Sequence, residues 1–157
     1  MDKIQTFLWF TNNNAEDAAN FYTSVFKNSK IVGRMPGMNG KPMGLTVSIE
    51  GREFILFNGG PMNEYPDWKF TGATSFFINC ETQQEVDHYW DKLSEGGRTD
   101  RCGWLTDQFG ITWQVVPTIL GKVLGDPDRA KSGRAMEAMM KMTKLDIAGL
   151  QKAFEGA

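Results

Sequence analysis

The chain repeats itself once, and that repeat limits the folds open to it. A constant step of 68 residues takes Phe10 to Ile78, Asp17 to Glu85, Ala18 to Val86, Phe21 to Tyr89, Tyr22 to Trp90 and Val25 to Leu93. Aromatic residues meet aromatic residues and an acid meets an acid, in order, through a strand pattern and a helix pattern. A second step, 59, takes Gly51 to Gly110, Phe54 to Trp113 and Leu56 to Val115. An ordered series of this kind marks an internal duplication, so the chain reads as two copies of one supersecondary unit.

That unit is β-α-β-β-β. In the first copy "IQTFLWF" (4–10) is a strand, and Ala15, Ala18, Tyr22 and Val25 then recur at helical spacing. Asn13 or Asn14 is placed to cap that helix, with Glu16 and Asp17 in its first turn, where acids suit the helix dipole. Three strands follow at 30–35, 43–50 and 53–57, the last two joined as a hairpin by Glu50 and Gly51. In the second copy, strand 73–79 precedes a helix in "TQQEVDHYWDKLSEGG" (82–97), a weak strand at 98–101 and a hairpin turning at Gly110. The expected architecture is α+β: two β-α-β-β-β modules forming curved mixed sheets around a cleft, with a helical C-terminal extension. Within a single domain, module 1 spans 4–58, a linker 59–72, module 2 73–116 and the helical tail 117–157.

Composition narrows the function. Among 157 residues the formal net charge is −2, and basic and acidic residues are interspersed. No electrostatic footprint for nucleic acid or an anionic membrane is present. The longest apolar runs fall far short of the ~20 residues that span a bilayer, and no leader opens the chain, so a bacterial cytoplasmic protein is expected. Cys80 and Cys102 have no neighbouring Cys or His and read as two buried free thiols. The one histidine, His88, falls on the polar face of its helix with Gln84, Glu85 and Lys92 and reads as a solvated side chain.

Paired β-α-β-β-β modules, the "FYTSVF" helix and the "DQFGITWQ" hairpin resemble the vicinal oxygen chelate superfamily, which includes glyoxalase I, extradiol dioxygenases and the bleomycin and fosfomycin resistance proteins. More narrowly, "FLWF", "FNGGP", "CGWLTDQFGITWQVVPTIL" and the Met-rich tail resemble its PhnB-like branch. The resemblance covers nearly the whole chain. It implies four inward positions, one on the first and one on the last strand of each module, that often hold a divalent metal through His, Glu or Gln. Carried over by motif, two of these positions are Gln5 and Gln114, and the repeat supplies Ile55 and Ala73 as the others. Ile and Ala cannot coordinate a cation, and two neutral amides are poor ligands for zinc, iron, nickel or manganese. The expectation is therefore no metal and no cofactor, with no carboxylate at the inward positions.

Alternation from those positions puts Phe7 and Trp9 with Gln5, Phe57 with Ile55, and Ser75 and Phe77 with Ala73. With Trp104 and Gln114 these residues line an aromatic cleft suited to a planar or amphipathic small molecule, or they simply pack together and fill it. Two functions stay open. One is a metal-independent binding protein of the drug-sequestration kind, in which the aromatics stack and Gln5 and Gln114 orient a polar group. The other is an enzyme acting on a small lactone, thioester or quinone-like substrate, with the amides donating to a developing oxyanion. Some PhnB-like sequences are described as ubiquinone-biosynthesis methyltransferases. The strand-helix junctions here, "FTNNNAED" and "NCETQQEV", carry no glycine-rich donor loop. "FNGGP" lacks the spacing and lysine of a phosphate loop and reads as a turn. In the linker, Tyr65 or Trp68 is placed to act as a lid. The tail reads as helices with Asp126, Asp128 and Asp146 near their starts and Met136, Met139, Met140 and Met142 clustered, docking onto the body or a second subunit. A homodimer is expected, as is usual for such modules.

Overall fold

The computed structural model of the protein describes residues 3–60 and 68–157. They fall into two compact units, Met1–Lys69 and Phe70–Ala157. The first contains β1 (Thr6–Phe10), α1 (Ala15–Val25), β2 (Ser29–Met35), β3 (Gly44–Ile49) and β4 (Arg52–Asn58). Its sheet runs β1-β4-β3-β2, with β1 parallel to β4 and the other pairs antiparallel. Leu8, Phe10, Leu45, Val47, Ile49 and Leu56 are buried on the face that α1 covers with Ala15, Ala18, Ala19, Tyr22 and Val25. The Glu50–Gly51 turn has both residues at positive φ (48° and 79°), the primed geometry whose twist suits a two-residue hairpin.

Capping of α1 differs from the expectation. Asn14 occupies the N-cap but makes no side-chain cap bond, and Asn13 lies in a left-handed turn at φ 54°. The free Ala15 N–H is instead taken by Asn58 Oδ1 at 2.9 Å, while Asn58 Nδ2 donates to the Pro42 carbonyl at 3.0 Å. A residue at the end of β4 thus closes the helix, a long-range solution that local spacing does not encode.

In the second unit, β5 (Ser75–Cys80), α2 (Gln83–Ser94), β6 (Arg98–Thr99), β7 (Trp104–Thr106) and β8 (Thr112–Pro117) repeat the topology, with sheet order β5-β8-β7-β6. Thr82 caps α2, its hydroxyl accepting from Glu85 N–H, and the Glu85 carboxylate reaches back to accept from the N–H of Glu81, the residue before the cap. Val86, Trp90 and Leu93 are buried, as are Leu105, Trp113 and Val115 on the sheet. The β5 strand begins at Ser75, so Ala73 lies in the preceding turn and not in the sheet.

The tail folds as α3 (Ile119–Leu124), α4 (Arg129–Lys141) and α5 (Ile147–Glu155). Asp128 caps α4 through Ala130 and Lys131 N–H, and Asp146 caps α5 through Ala148 N–H. The tail is tied to its own unit. Gln83 accepts from Ile147 N–H at 2.9 Å and donates to the Leu145 carbonyl at 3.2 Å, and Lys144 reaches Asp87 and Asp91. Hydrogen bonds from Gln83 and Lys144 hold the Asp87 carboxyl below its ordinary range.

Candidate functional site

In the second unit, the face of the sheet opposite Leu105, Trp113 and Val115 carries a row of three neighbours on three strands. Phe77 on β5 pairs with Gln114 on β8, and Gln114 pairs with Trp104 on β7. Gln114 Nε2 donates to Ser75 Oγ at 2.9 Å, which orients the amide of the residue that stands between Phe77 and Trp104 in the row. Phe77 is 53% exposed. One pleat further along, Ser75, Thr112, Thr106 and Arg98 form a polar row across all four strands. A pocket of about 110 Å³ is lined by Trp104, Thr106, Thr112, Arg98 and Asp100.

The turn before β8 explains why Gln114 is held where it is. Asp107, 3% exposed, accepts from Phe109 N–H (2.9 Å) and Ile111 N–H (3.0 Å) through Oδ1, and from Trp113 Nε1–H (2.8 Å) through Oδ2. One carboxylate therefore ties both ends of the "DQFGITW" turn and sets the strand register in which Trp113 faces the core and Gln114 the open face.

In the first unit, Gln5, Phe7 and Trp9 share the face opposite α1 with Ile55 and Phe57. The register pairs Phe7 with Ile55 and Trp9 with Phe57. Phe57 is the hub, with ring centroids 5.4 Å from Phe7 and 5.1 Å from Trp9. Trp68 meets Trp9 edge-on at 5.4 Å, and Trp9 Nε1 donates to the Gly60 carbonyl at 3.1 Å. Tyr65, the other residue expected to be placed as a lid, lies outside the described residues. Gly59 lies flat against the indole: a Cβ there would sit 1.9 Å from Trp9 Cε2.

Two features depart from the expected ligand box. The inward face does hold a carboxylate: Glu53 opens the expected strand 53–57, and alternation back from Ile55 puts it on the same face. Gln5 Nε2 donates to Glu53 Oε2 at 2.7 Å. The second departure concerns Ala73. Since Phe7 pairs with Ile55 and Phe77 with Gln114, the partner of Phe7 under the repeat is Phe77, one full pleat beyond the step of 68. Gln5 then corresponds to Ser75. A two-residue shift preserves the face, so the hydropathy pattern could not reveal it.

The donor sets can be compared with what a metal requires. On one face stand an amide and a carboxylate, Gln5 and Glu53, and on the other an amide and a hydroxyl, Gln114 and Ser75. A catalytic divalent ion takes three protein ligands, typically including imidazole, so neither face by itself fits one. Among the described residues no group of three or more His, Cys, Asp or Glu is placed to hold a metal ion. The Cys80 thiol is fully buried; desolvation, then the Glu85 carboxylate, push it up to about 12. Cys102, expected to be buried, is half-buried instead.

Residues 2–116 match the 3-demethylubiquinone-9 3-methyltransferase family. The chain belongs to this PhnB-like family. Its fold is that of the vicinal oxygen chelate superfamily. The PhnB protein of Bacillus cereus is 31% identical, with a TM-score of 0.67 over 74% of this chain and 100% of that one. Protein PA1353 of Pseudomonas aeruginosa follows at 20% identity and a TM-score of 0.59, covering 74% and 98%. The fosfomycin resistance protein FosX of Listeria monocytogenes, solved with Mn(II) and sulfate, shares the fold at 15% identity and a TM-score of 0.50 over 72% and 90%. No curated protein sequence matches the chain. In this PhnB-like protein the helical tail lies beyond the family match. No helix among the described residues is long and apolar enough to cross a membrane.

Proposed function

We propose that this PhnB-like protein is a metal-independent binding protein for a planar, amphipathic small molecule. The observation that carries this reading is the row Phe77–Gln114–Trp104. It sets an oriented amide between two aromatic side chains on the open face of a sheet, so a flat ligand can stack while Gln114 pairs with its polar group. The Gln5, Phe7, Trp9, Ile55 and Phe57 face offers the same chemistry in the first unit. A homodimer suits the reading, because each sheet ends in edge strands whose outer backbone groups a second copy can pair.

Methyl transfer, which the family's name describes, finds no support in this chain. The β1–α1 and β5–α2 junctions contain no glycine, and a Rossmann-type transferase binds its nucleotide donor on a glycine-rich loop at such a junction. A second reading, catalysis on a small lactone, thioester or quinone-like substrate, draws on Glu53. Its carboxylate, oriented by Gln5, supplies the general base that such an enzyme needs.

Tryptophan fluorescence titration with planar antibiotics and quinones, followed by recovery of the ligand, separates the readings. Saturable quenching that is lost in Gln114→Ala, with ligand recovered unchanged, supports binding. Turnover that disappears in Glu53→Gln supports catalysis, and no binding across the panel overturns both. Titration with nickel, zinc and manganese tests metal independence: stoichiometric tight binding weakened in Gln5→Ala or Gln114→Ala would contradict it.

A further inference from the structure

We propose that Cys102, Met140 and Met136 form a binding site for a soft monovalent cation, Cu(I) or its analogue Ag(I), where the helical tail meets the β6–β7 loop. Cys102 Sγ lies 3.9 Å from Met140 Sδ, so a thiol from the sheet unit and a thioether from α4 already face each other. With metal–sulfur bonds of about 2.3 Å, that separation subtends an angle of about 120° at a shared ion, the angle of a trigonal site. Met136 stands one turn before Met140 on the same face of α4, the spacing from which its thioether would supply the third sulfur. Both methionines are open to solvent, at 44% and 51% exposure, and Cys102 is half-buried, so an ion has a path in.

The loop that presents the thiol is held in place. Cys102 sits in the left-handed region at φ 58°, a conformation that costs a non-glycine residue energy and persists only when its surroundings impose it. Here the constraint comes from the tail: Cys102 N–H donates to the Met142 carbonyl and Gly103 N–H to the Thr143 carbonyl, both at 2.9 Å. Gly103 has no room for a side chain, since a Cβ would lie 2.6 Å from the Val115 carbonyl oxygen. Thiolate and thioether donors without imidazole or an oxygen cage favour Cu(I) over calcium, magnesium or manganese. The methionines belong to the segment beyond the family match while Cys102 lies within it, so the thioether half of the site is what the tail adds.

The test is an anaerobic titration of the full chain with Cu(I) against a chromophoric chelator such as bicinchoninate. One Cu(I) per chain is expected. Cys102→Ser should abolish it, and Met140→Leu should weaken it about 10- to 100-fold, the loss typical even of groups that only support a metal site. Met43→Leu, an exposed methionine in the other unit, should leave binding unchanged. In wild-type protein labelled at its methionine methyls, Ag(I) should shift the Met140 and Met136 signals first, a readout that needs no variant to fold. Absence of Cu(I) uptake in the competition overturns the proposal. So does wild-type affinity in the Met136→Leu, Met140→Leu double variant, which would show a thiol acting alone.

Discussion

Replacing Asp107 by alanine should do more damage than its position in a turn suggests. The substitution removes the acceptor for three hydrogen bonds, from the Phe109 and Ile111 amides and the Trp113 indole, while Asp107 and Trp113 are only 3% and 4% exposed. Each buried donor left unpaired costs about 1–3 kcal/mol, and since all three depend on one carboxylate the losses are less than additive, giving about 3–5 kcal/mol in total. That is a large share of the roughly 5–15 kcal/mol that holds a typical domain folded. Asp107→Asn should be milder, at about 1–2 kcal/mol, because its oxygen can keep both backbone amides while its NH2 confronts only the Trp113 N–H. Urea unfolding followed by far-UV circular dichroism and by tryptophan emission measures both. An alanine variant within about 1 kcal/mol of wild type, or an asparagine variant as damaged as the alanine one, would refute the account of the turn.

Other expectations follow from single contacts. Gly59→Ala should lower stability by about 1–3 kcal/mol through overpacking against Trp9 and shift the tryptophan emission, since the new methyl overlaps the indole; an unchanged spectrum and midpoint would contradict the packing. Asn58→Ala should cost about 0.5–2 kcal/mol by uncapping α1, whereas Asn14→Ala, which removes no cap bond, should be nearly neutral in the same unfolding assay. In the native protein at pH 8, iodoacetamide should label Cys102 and spare Cys80, and denaturation should release the second thiol. The unfolded Cys80 thiol ionises near its ordinary 9.0 while the folded one holds its proton up to about 12, so its contribution to stability should fall as pH rises through that window.

Strand faces were legible in the sequence because their period is two and needs no knowledge of partners. With Gln5 and Gln114 placed by the family motif and Ile55 by the repeat, alternation put Phe7, Trp9, Phe57 and Phe77 on the same open faces. Pairing register was not legible, since a shift of two residues leaves every side chain on its face; this is why Ser75 replaces Ala73 opposite Gln5 in the repeat. Glu53 was already legible, since it opens the expected strand 53–57 two residues before Ile55 and the same alternation puts it on that face, so the expectation of no inward carboxylate overlooked it. Asn58 capping α1 and Gln83 clasping the tail join residues 43 and more positions apart, and no local pattern marks such pairs. The Asp107 carboxylate shows the intermediate case: the "DQFG" turn was visible, and the indole it binds was not.

The central claim is that a ligand sits on the Phe77–Gln114–Trp104 row, and the Gln114 side-chain amide reports on it directly. In a two-dimensional ¹H–¹⁵N spectrum, titration with a binder found by fluorescence should shift the Gln114 NH2 and Trp104 indole signals together, with one shared saturation curve. If those two signals stay fixed while resonances elsewhere in the chain move and saturate, the ligand binds another surface and the account is wrong.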